Sequence, residues 1–497
     1  MLETITNINN AVNNIVWGIP MLILLVGTGI LMTLLTKFFQ LSHIGYWMKN
    51  TIGGIFTDKH ITNHTRKDDR AISQFQTMCT ALAATIGTGN IVGVSTAIIL
   101  GGPGAIFWMW IVAIFGMMTS FSENVLGIFY RRKNSQGEWS GGAMYYLRDG
   151  LGTKKGCKQL GRLLSILFSF FCILASFGIG NMSQINSIAG NMKSAFGIPE
   201  LPLGIVLMLI GGMIILGGLR RIASVTEKLV PFMAITFLLM TLAVCIIHID
   251  QLGTVLESIF AGAFGLKSAT GGIVGVGMKQ ALTWGTKRGV FSNEAGLGSS
   301  VMINASSNVH EPVQQGMWGI FEVFVDTIVM CSLTAFAILS SGLIDLSTGT
   351  LIDSSLNQSS LVGAAFSTVF GSAGPMFIAV AILLFAFSTV LGWSHYGSKA
   401  FEYLFGEKAT IAYKCVFVLF IVLGATMDLS LAWNLSDTFN GLMALPNLIG
   451  VVTLSPIVVK ITRNYIDRKI KGIDVKPVLS AIPEVQESEE KFVNMEN

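Results

Sequence analysis

The chain has 497 residues, of which 52% are hydrophobic and only 60 charged (32 Lys+Arg and 28 Asp+Glu). Water-soluble proteins carry about a quarter charged residues, so this composition excludes a soluble enzyme, a nucleic-acid reader and a protein held by a single anchor. The net charge of +4 is small; what matters is where the charges fall. Residues 71–122 contain no Asp, Glu, Lys or Arg, and at about 1.5 Å per helical residue such a stretch can cross a hydrocarbon core of about 30 Å twice.

Charge-poor stretches of about 20 residues predict an all-α integral membrane protein with eleven spans. They lie near residues 15–35, 73–100, 105–130, 163–189, 203–219, 230–247, 272–302, 316–339, 366–393, 411–425 and 429–459. The seventh contains Lys279, Lys287 and Arg288, so it cannot face lipid along its whole length. Basic residues concentrate in alternate connections: Lys37 to Arg70, Arg131 to Arg162, Arg220 to Lys228, Lys399 to Lys414 and Lys460 to Lys491 hold 27 of the 32. By the positive-inside rule these face the cytoplasm, which places the N-terminus outside, the C-terminus inside and the chain in the cell membrane. The first 14 residues have no Lys or Arg, so they lack the positive segment of a cleavable signal and the first helix is expected to stay. After Lys471 the chain turns polar and acidic, which predicts a disordered tail. The six cysteines show no paired spacing and five lie in apolar segments, so neither a disulfide framework nor a zinc site is expected.

Four regions follow: 1–70 with the first helix, 71–249 and 250–462 with five spans each, and the tail 463–497. Two odd-numbered halves in series enter the membrane from opposite sides, the inverted five-plus-five plan of alternating-access transporters. No residue-level repeat is visible, so this expectation rests on topology.

The second span contains Thr85-Ile86-Gly87-Thr88-Gly89-Asn90-Ile91-Val92-Gly93. Glycine lowers helix propensity by about 1 kcal/mol relative to alanine, and freed peptide groups are tolerated in a membrane only where protein or a polar cavity surrounds them. A break here exposes carbonyls that can replace water around a small cation, and a half-helix N-terminus that favours a carboxylate. The plainer alternative is that Gly87, Gly89 and Gly93 let helices pack closely. Close packing needs no polar groups, so Thr85, Thr88 and Asn90 at bilayer depth favour the break.

The strings Ala81-Leu82-Ala83-Ala84-Thr85-Ile86-Gly87-Thr88-Gly89-Asn90-Ile91, Gly101-Gly102-Pro103-Gly104-Ala105-Ile106-Phe107-Trp108-Met109-Trp110 and Arg288-Gly289-Val290-Phe291-Ser292-Asn293-Glu294-Ala295-Gly296-Leu297-Gly298 resemble the signatures of the sodium:alanine/glycine symporter family. The resemblance runs from about residue 15 to 462. It implies a core fold similar to the leucine-transporter type, within the amino acid-polyamine-organocation superfamily, whose broken helices and inverted repeats are a standard case.

In that fold a sodium ion sits between the unwound first core helix and the eighth, here the second and ninth spans. The resemblance therefore implies a sodium site from the carbonyls of Ala83 and Ile86 and the adjacent hydroxyls of Ser388 and Thr389. The competing reading is that these hydroxyls bond back within their own helix. The substrate is expected against Thr85, Gly87, Thr88, Gly89 and Asn90. In the fourth span, Phe177, Asn181 and Gln184 recur at helical spacing; Gln184 can both donate to and accept from a zwitterion, and Gly180 leaves room beside it. For Asn181 a plain helix-to-helix hydrogen bond competes. Trp284-Gly285 is the expected second break and aromatic wall, with Lys287 and Arg288 beyond it reaching the cytoplasmic face. Asp326 is expected to serve coupling or to pair with an Asn or Lys279, and Glu123 to snorkel toward water.

The implied function is import of a small neutral amino acid, alanine or glycine, with sodium as coupling ion and no organic cofactor or protein partner. The alternatives are proton coupling, a larger substrate such as glutamine, or a passive channel. An enzyme is not expected: the chain has no His-Glu-x-x-His, Gly-x-Ser-x-Gly or phosphate-binding loop motif.

Overall fold

The computed structural model describes residues 2–65, 71–265, 271–427 and 430–496. Helices dominate; the strands are two short hairpins, Arg132–Lys133 with Trp139–Ser140 and Ile344–Asp345 with Thr350–Leu351. Among the described residues eight helices are long and apolar enough to cross a membrane, and three shorter apolar ones, Val92–Gly101, Glu200–Ile215 and Ser360–Phe370, accompany them. The difference from eleven uniform spans has physical causes. The second and seventh spans are divided by breaks, and the fifth, Glu200–Ile215, is short; the ninth begins at Ala373 after the separate short helix Ser360–Phe370 and runs on to Phe405.

The second span starts at Ser73, whose hydroxyl accepts the Gln76 N–H while the Gln76 side chain accepts the Ser73 N–H (3.2 and 3.3 Å), a reciprocal cap of two otherwise orphaned donors. It runs as Gln74–Thr85, unwinds over residues 86–91, and resumes as Val92–Gly101. The third span, Gly104–Phe129, follows a tight turn at Gly102 (φ 69°). The fourth, Lys158–Phe177 and Ser183–Phe196, is joined by a wide turn at Gly178–Met182.

The seventh span corrects an expectation. Gly271–Asn293 continues as helix through Trp284 and Gly285, and the break comes later, over residues 294–300. There Gly296 and Gly298 hold φ of 93° and 73°, a region in which side chains other than glycine's are strained. Trp284 and Gly285 need no such conformation. The two breaks lie side by side: a methyl on Gly89 would sit 3.1 Å from Ser292 Cα. A helical membrane core built on two such broken helices is the leucine-transporter-type fold.

The connections rich in Lys and Arg meet at one end of the bundle. Buried Arg131 donates to the carbonyls of Ser307 and Val309 (2.6 Å each), Lys154 to Thr453 O at 2.5 Å, and Arg468 to both oxygens of Glu311 (2.7 and 2.8 Å). The tail after Lys471 is not the disordered segment its composition predicts. It packs onto this basic end, where Ala481 N–H donates to Phe129 O (2.9 Å), and ends in the helix Pro483–Glu496. Glu489 there faces Arg131 and His310, so an acidic segment is held by basic groups that hydropathy cannot see.

Candidate functional site

At the second-span break, the Asn90 side-chain oxygen accepts the Gly87 N–H (3.1 Å), and its amide donates to the Asp326 carboxylate and carbonyl (2.7 and 3.1 Å). Asn90 therefore braces the unwound segment from behind. This is one of the partners expected for Asp326, whose other oxygen accepts the Thr327 hydroxyl (2.8 Å).

Four oxygens converge between the second and ninth spans. Thr389 Oγ1 lies 3.1 Å from Ala83 O and 3.5 Å from Ile86 O, and Ser388 Oγ lies 3.3 Å from Ala83 O. Both hydroxyls also bond back to Phe385 O (2.8 and 3.1 Å). Unwinding after Thr85 leaves these carbonyls without helical donors, so they are available to a hard cation. The closeness is supported by Gly392, where a methyl would come within 2.6 Å of Ala84 Cβ.

Beside this cluster lies a cavity of about 10 Å³ lined by Ala84, Thr85, Gly87, Gly89, Ile179, Gln184, Phe291, Glu294, Thr389, Trp393 and Asn440. Such a volume holds about one water. Gln184 accepts the Thr88 N–H (3.3 Å) and donates to Ile179 O (3.0 Å), a carbonyl in the wide turn of the fourth span. Among the described residues the Thr88 hydroxyl and Asn440 Oδ1 are buried without partners, and Glu294 accepts the Ser299 hydroxyl (2.6 Å). Beyond Thr88 and Phe291 opens a vestibule of about 1110 Å³ at the end opposite the basic connections. Phe291 lines both spaces. On the other side Glu123, Asn447 and Tyr146 form a buried hydrogen-bonded chain that seals the bundle. Glu123 thus does not snorkel: it is buried and one of its carboxylate oxygens accepts from the Asn447 amide inside the bundle.

The structure brings Thr85, Gly87, Gly89, Gln184 and Thr389 to the cavity and leaves other expected residues away from it. Phe177 packs into an aromatic cluster with Tyr413, Phe417 and Phe420, and Asn181 donates to Phe417 O (2.7 Å), the helix-to-helix bond that competed with a substrate role. Gly180 faces Trp393 so closely that a methyl would come within 2.5 Å of its Cβ and Cγ; it makes room for an indole rather than for substrate. Trp284 stacks beneath Lys287 and Arg288 (5.5 and 5.4 Å) outside the cavity. Those two cations do not reach the basic end. Lys287 pairs with Asp437 at 2.5 Å and lies over Trp17, and Arg288 lines the vestibule, because the helix continues for a further turn before it breaks. Phe291, Glu294, Trp393 and Asn440 were not foreseen. Trp393 lies four residues after Thr389, on the same helix face, and Gly296-x-Gly298 repeats the signal of Gly87-x-Gly89.

Two helices broken side by side, a small polar cavity between them, and a vestibule open on one side only are the construction of a secondary transporter. Residues 2–479 match the sodium:alanine symporter family. The sodium/alanine symporter AgcS of Methanococcus maripaludis is 44% identical over 456 residues, covering 92% of this chain and 96% of that protein. The probable sodium/glutamine symporter GlnT of Bacillus subtilis is 36% identical over 476 residues, covering 95% and 93%. Among solved structures, a Na+-coupled sialic acid symporter in a substrate-bound outward-open state shares the fold, with a TM-score of 0.51, 13% identity and coverage of 96% and 97%.

The chain belongs to the sodium:alanine symporter family. It is a multi-pass membrane protein and a sodium-coupled amino acid transporter, not an enzyme.

Proposed function

We propose that the chain imports a small neutral amino acid, alanine or glycine, across the cell membrane together with sodium. The observation that carries this reading is the match to the sodium:alanine symporter family, joined to the polar cavity beside Gln184, which is walled by Trp393, Phe291 and the backbone of Gly87 and Gly89 and must widen from the size of one water to admit an amino acid. Sodium takes the oxygens of Ala83, Ile86, Ser388 and Thr389. The substrate carboxylate meets the N-terminal end of Val92–Gly101, with Thr85, Thr88 and Gln184 at hand, and its ammonium group meets Glu294 or Asn440. Phe291 swings aside to admit the substrate and closes again over it, binding displaces the Thr88-to-Gln184 contact, and the Glu123–Asn447–Tyr146 seal opens on the basic side. The concentration of Lys and Arg at that end supports its assignment to the cytoplasm, with the N-terminus outside.

The coupling is energetically sufficient. One charge crossing 100 mV releases about 2.3 kcal/mol, and a tenfold sodium gradient adds about 1.4 kcal/mol. The test is uptake by purified protein in liposomes under an inward sodium gradient, with choline replacing sodium in the control. Accumulation of alanine above its outside concentration only with sodium is expected; equal uptake in choline would overturn sodium coupling. Competition by glutamine, prompted by the relative named for that substrate, tests the pocket's size and is expected to be weak.

A further inference from the structure

The large vestibule has an unusual charge pattern. Its lining includes neutral Asn186, Asn191, Asn357, Gln358 and Asn434, and the only charged side chain among its described lining residues is Arg288. An arginine this deep in a bundle normally pairs with an acid, since an uncompensated charge is costly at membrane depth. The neighbouring Lys287 does so through Asp437. Arg288 makes no hydrogen bond or ion pair among the described residues, and its Nε is buried without a partner. Its guanidinium lies over Trp284 and over Phe291, 5.4 Å from each ring. A planar cation with free donors is thus stacked on the ring that separates vestibule from cavity.

We propose that Arg288 forms an outer docking site for the α-carboxylate of an incoming zwitterionic amino acid, ahead of the closed Phe291 ring. The guanidinium fork matches a carboxylate bidentately, and the surrounding amides can accept from the substrate's ammonium group. Because the cation stacks on Phe291, engaging a carboxylate alters one contact on this ring, so docking and opening are linked at one residue. With no acid among the described lining residues, the vestibule favours zwitterions and anions over amino acids with cationic side chains. This inference rests on the amino acid transport reading.

The test is alanine uptake in proteoliposomes at low and high ionic strength, set with choline chloride at constant sodium, for wild type, Arg288→Gln and Arg288→Lys. Alanine carries no net charge, so the arginine acts on its carboxylate at contact range rather than by long-range steering, and added salt weakens that contact only in part. Wild type is therefore expected to show at most a modestly higher KM at high salt. Arg288→Gln is expected to show a several-fold higher KM and a reduced preference for alanine over its carboxamide at either ionic strength; Arg288→Lys should lie between the two. Arg288→Gln indistinguishable from wild type in KM and in carboxylate preference overturns the docking site alone. Should Arg288→Gln fail to reach the membrane, Arg288→Lys decides by the same two readouts, and identity with wild type in both overturns the docking site. Wild type with no sodium-driven uptake of any neutral amino acid would overturn the transport reading itself.

Discussion

Replacing Thr389 by valine isolates the proposed sodium site. The side chains have nearly the same shape, so packing against the second span is kept and only the hydroxyl is lost. That oxygen stands 3.1 Å from Ala83 O and 3.5 Å from Ile86 O. In the ion-free protein its loss removes contacts to carbonyls, worth about 1 kcal/mol. With sodium bound, it removes one of the oxygens on the ion, and contacts to charged groups are worth about 1.5–3 kcal/mol. The difference, about 0.5–2 kcal/mol, is what weakens sodium binding; at about 1.4 kcal/mol per decade, the sodium concentration for half-maximal uptake should rise about twofold to thirtyfold. Sodium titration of alanine uptake reads this directly. Alanine affinity at limiting sodium should fall in parallel and recover at saturating sodium, because linkage is reciprocal. An unchanged sodium midpoint in well-folded Thr389→Val would show that the ion binds elsewhere.

Gly180→Ala places a methyl within 2.5 Å of Trp393; the indole must shift, and overpacking of this kind costs about 1–3 kcal/mol. Thermal unfolding should drop accordingly and alanine affinity should fall, whereas unchanged binding would mean that Trp393 does not shape the cavity. Lys287→Met strands the buried Asp437, whose second oxygen already lacks a partner; it should destabilise by about 3–5 kcal/mol, with much of the loss recovered in the double variant Lys287→Met/Asp437→Leu, both read by denaturation. Deleting residues 472–497 removes the Glu489 contact from Arg131 and the Ala481 bond to Phe129 O, and should accelerate proteolysis in the 305–311 connection; identical cleavage kinetics would show that the tail carries no structural load.

Local chemistry made part of this molecule legible in the sequence. The spans follow from the absence of charge, and the first break from two glycines set among Thr85, Thr88 and Asn90, since those residues act where they stand. The sequence points to the wrong place for the second break because Trp284-Gly285 carries a conspicuous aromatic, while the operative signal, Gly296-x-Gly298, lies beyond a helix whose cations suggest an exit from the membrane. Asn181 and Gln184 are three residues apart with similar amide chemistry, yet one reaches Phe417 O and the other the broken helix. Only the packing of the fourth span between its neighbours decides between them. Trp393 and Asn440 come to the cavity from the ninth and eleventh spans, and pairings across hundreds of residues leave no trace in spacing. The tail's acidic composition by itself predicts disorder, because the partners of Glu489, Arg131 and His310, lie far earlier in the chain.

The proposal that sodium and substrate share the segment around Gly87 is tested most directly by equilibrium binding to the purified protein. Alanine affinity should be measured across sodium concentrations, and sodium affinity across alanine concentrations. Shared binding at the break predicts that each ligand tightens the other by the same factor, and that Thr389→Val shifts both titrations together. Alanine binding of equal strength in sodium and in choline would contradict the account.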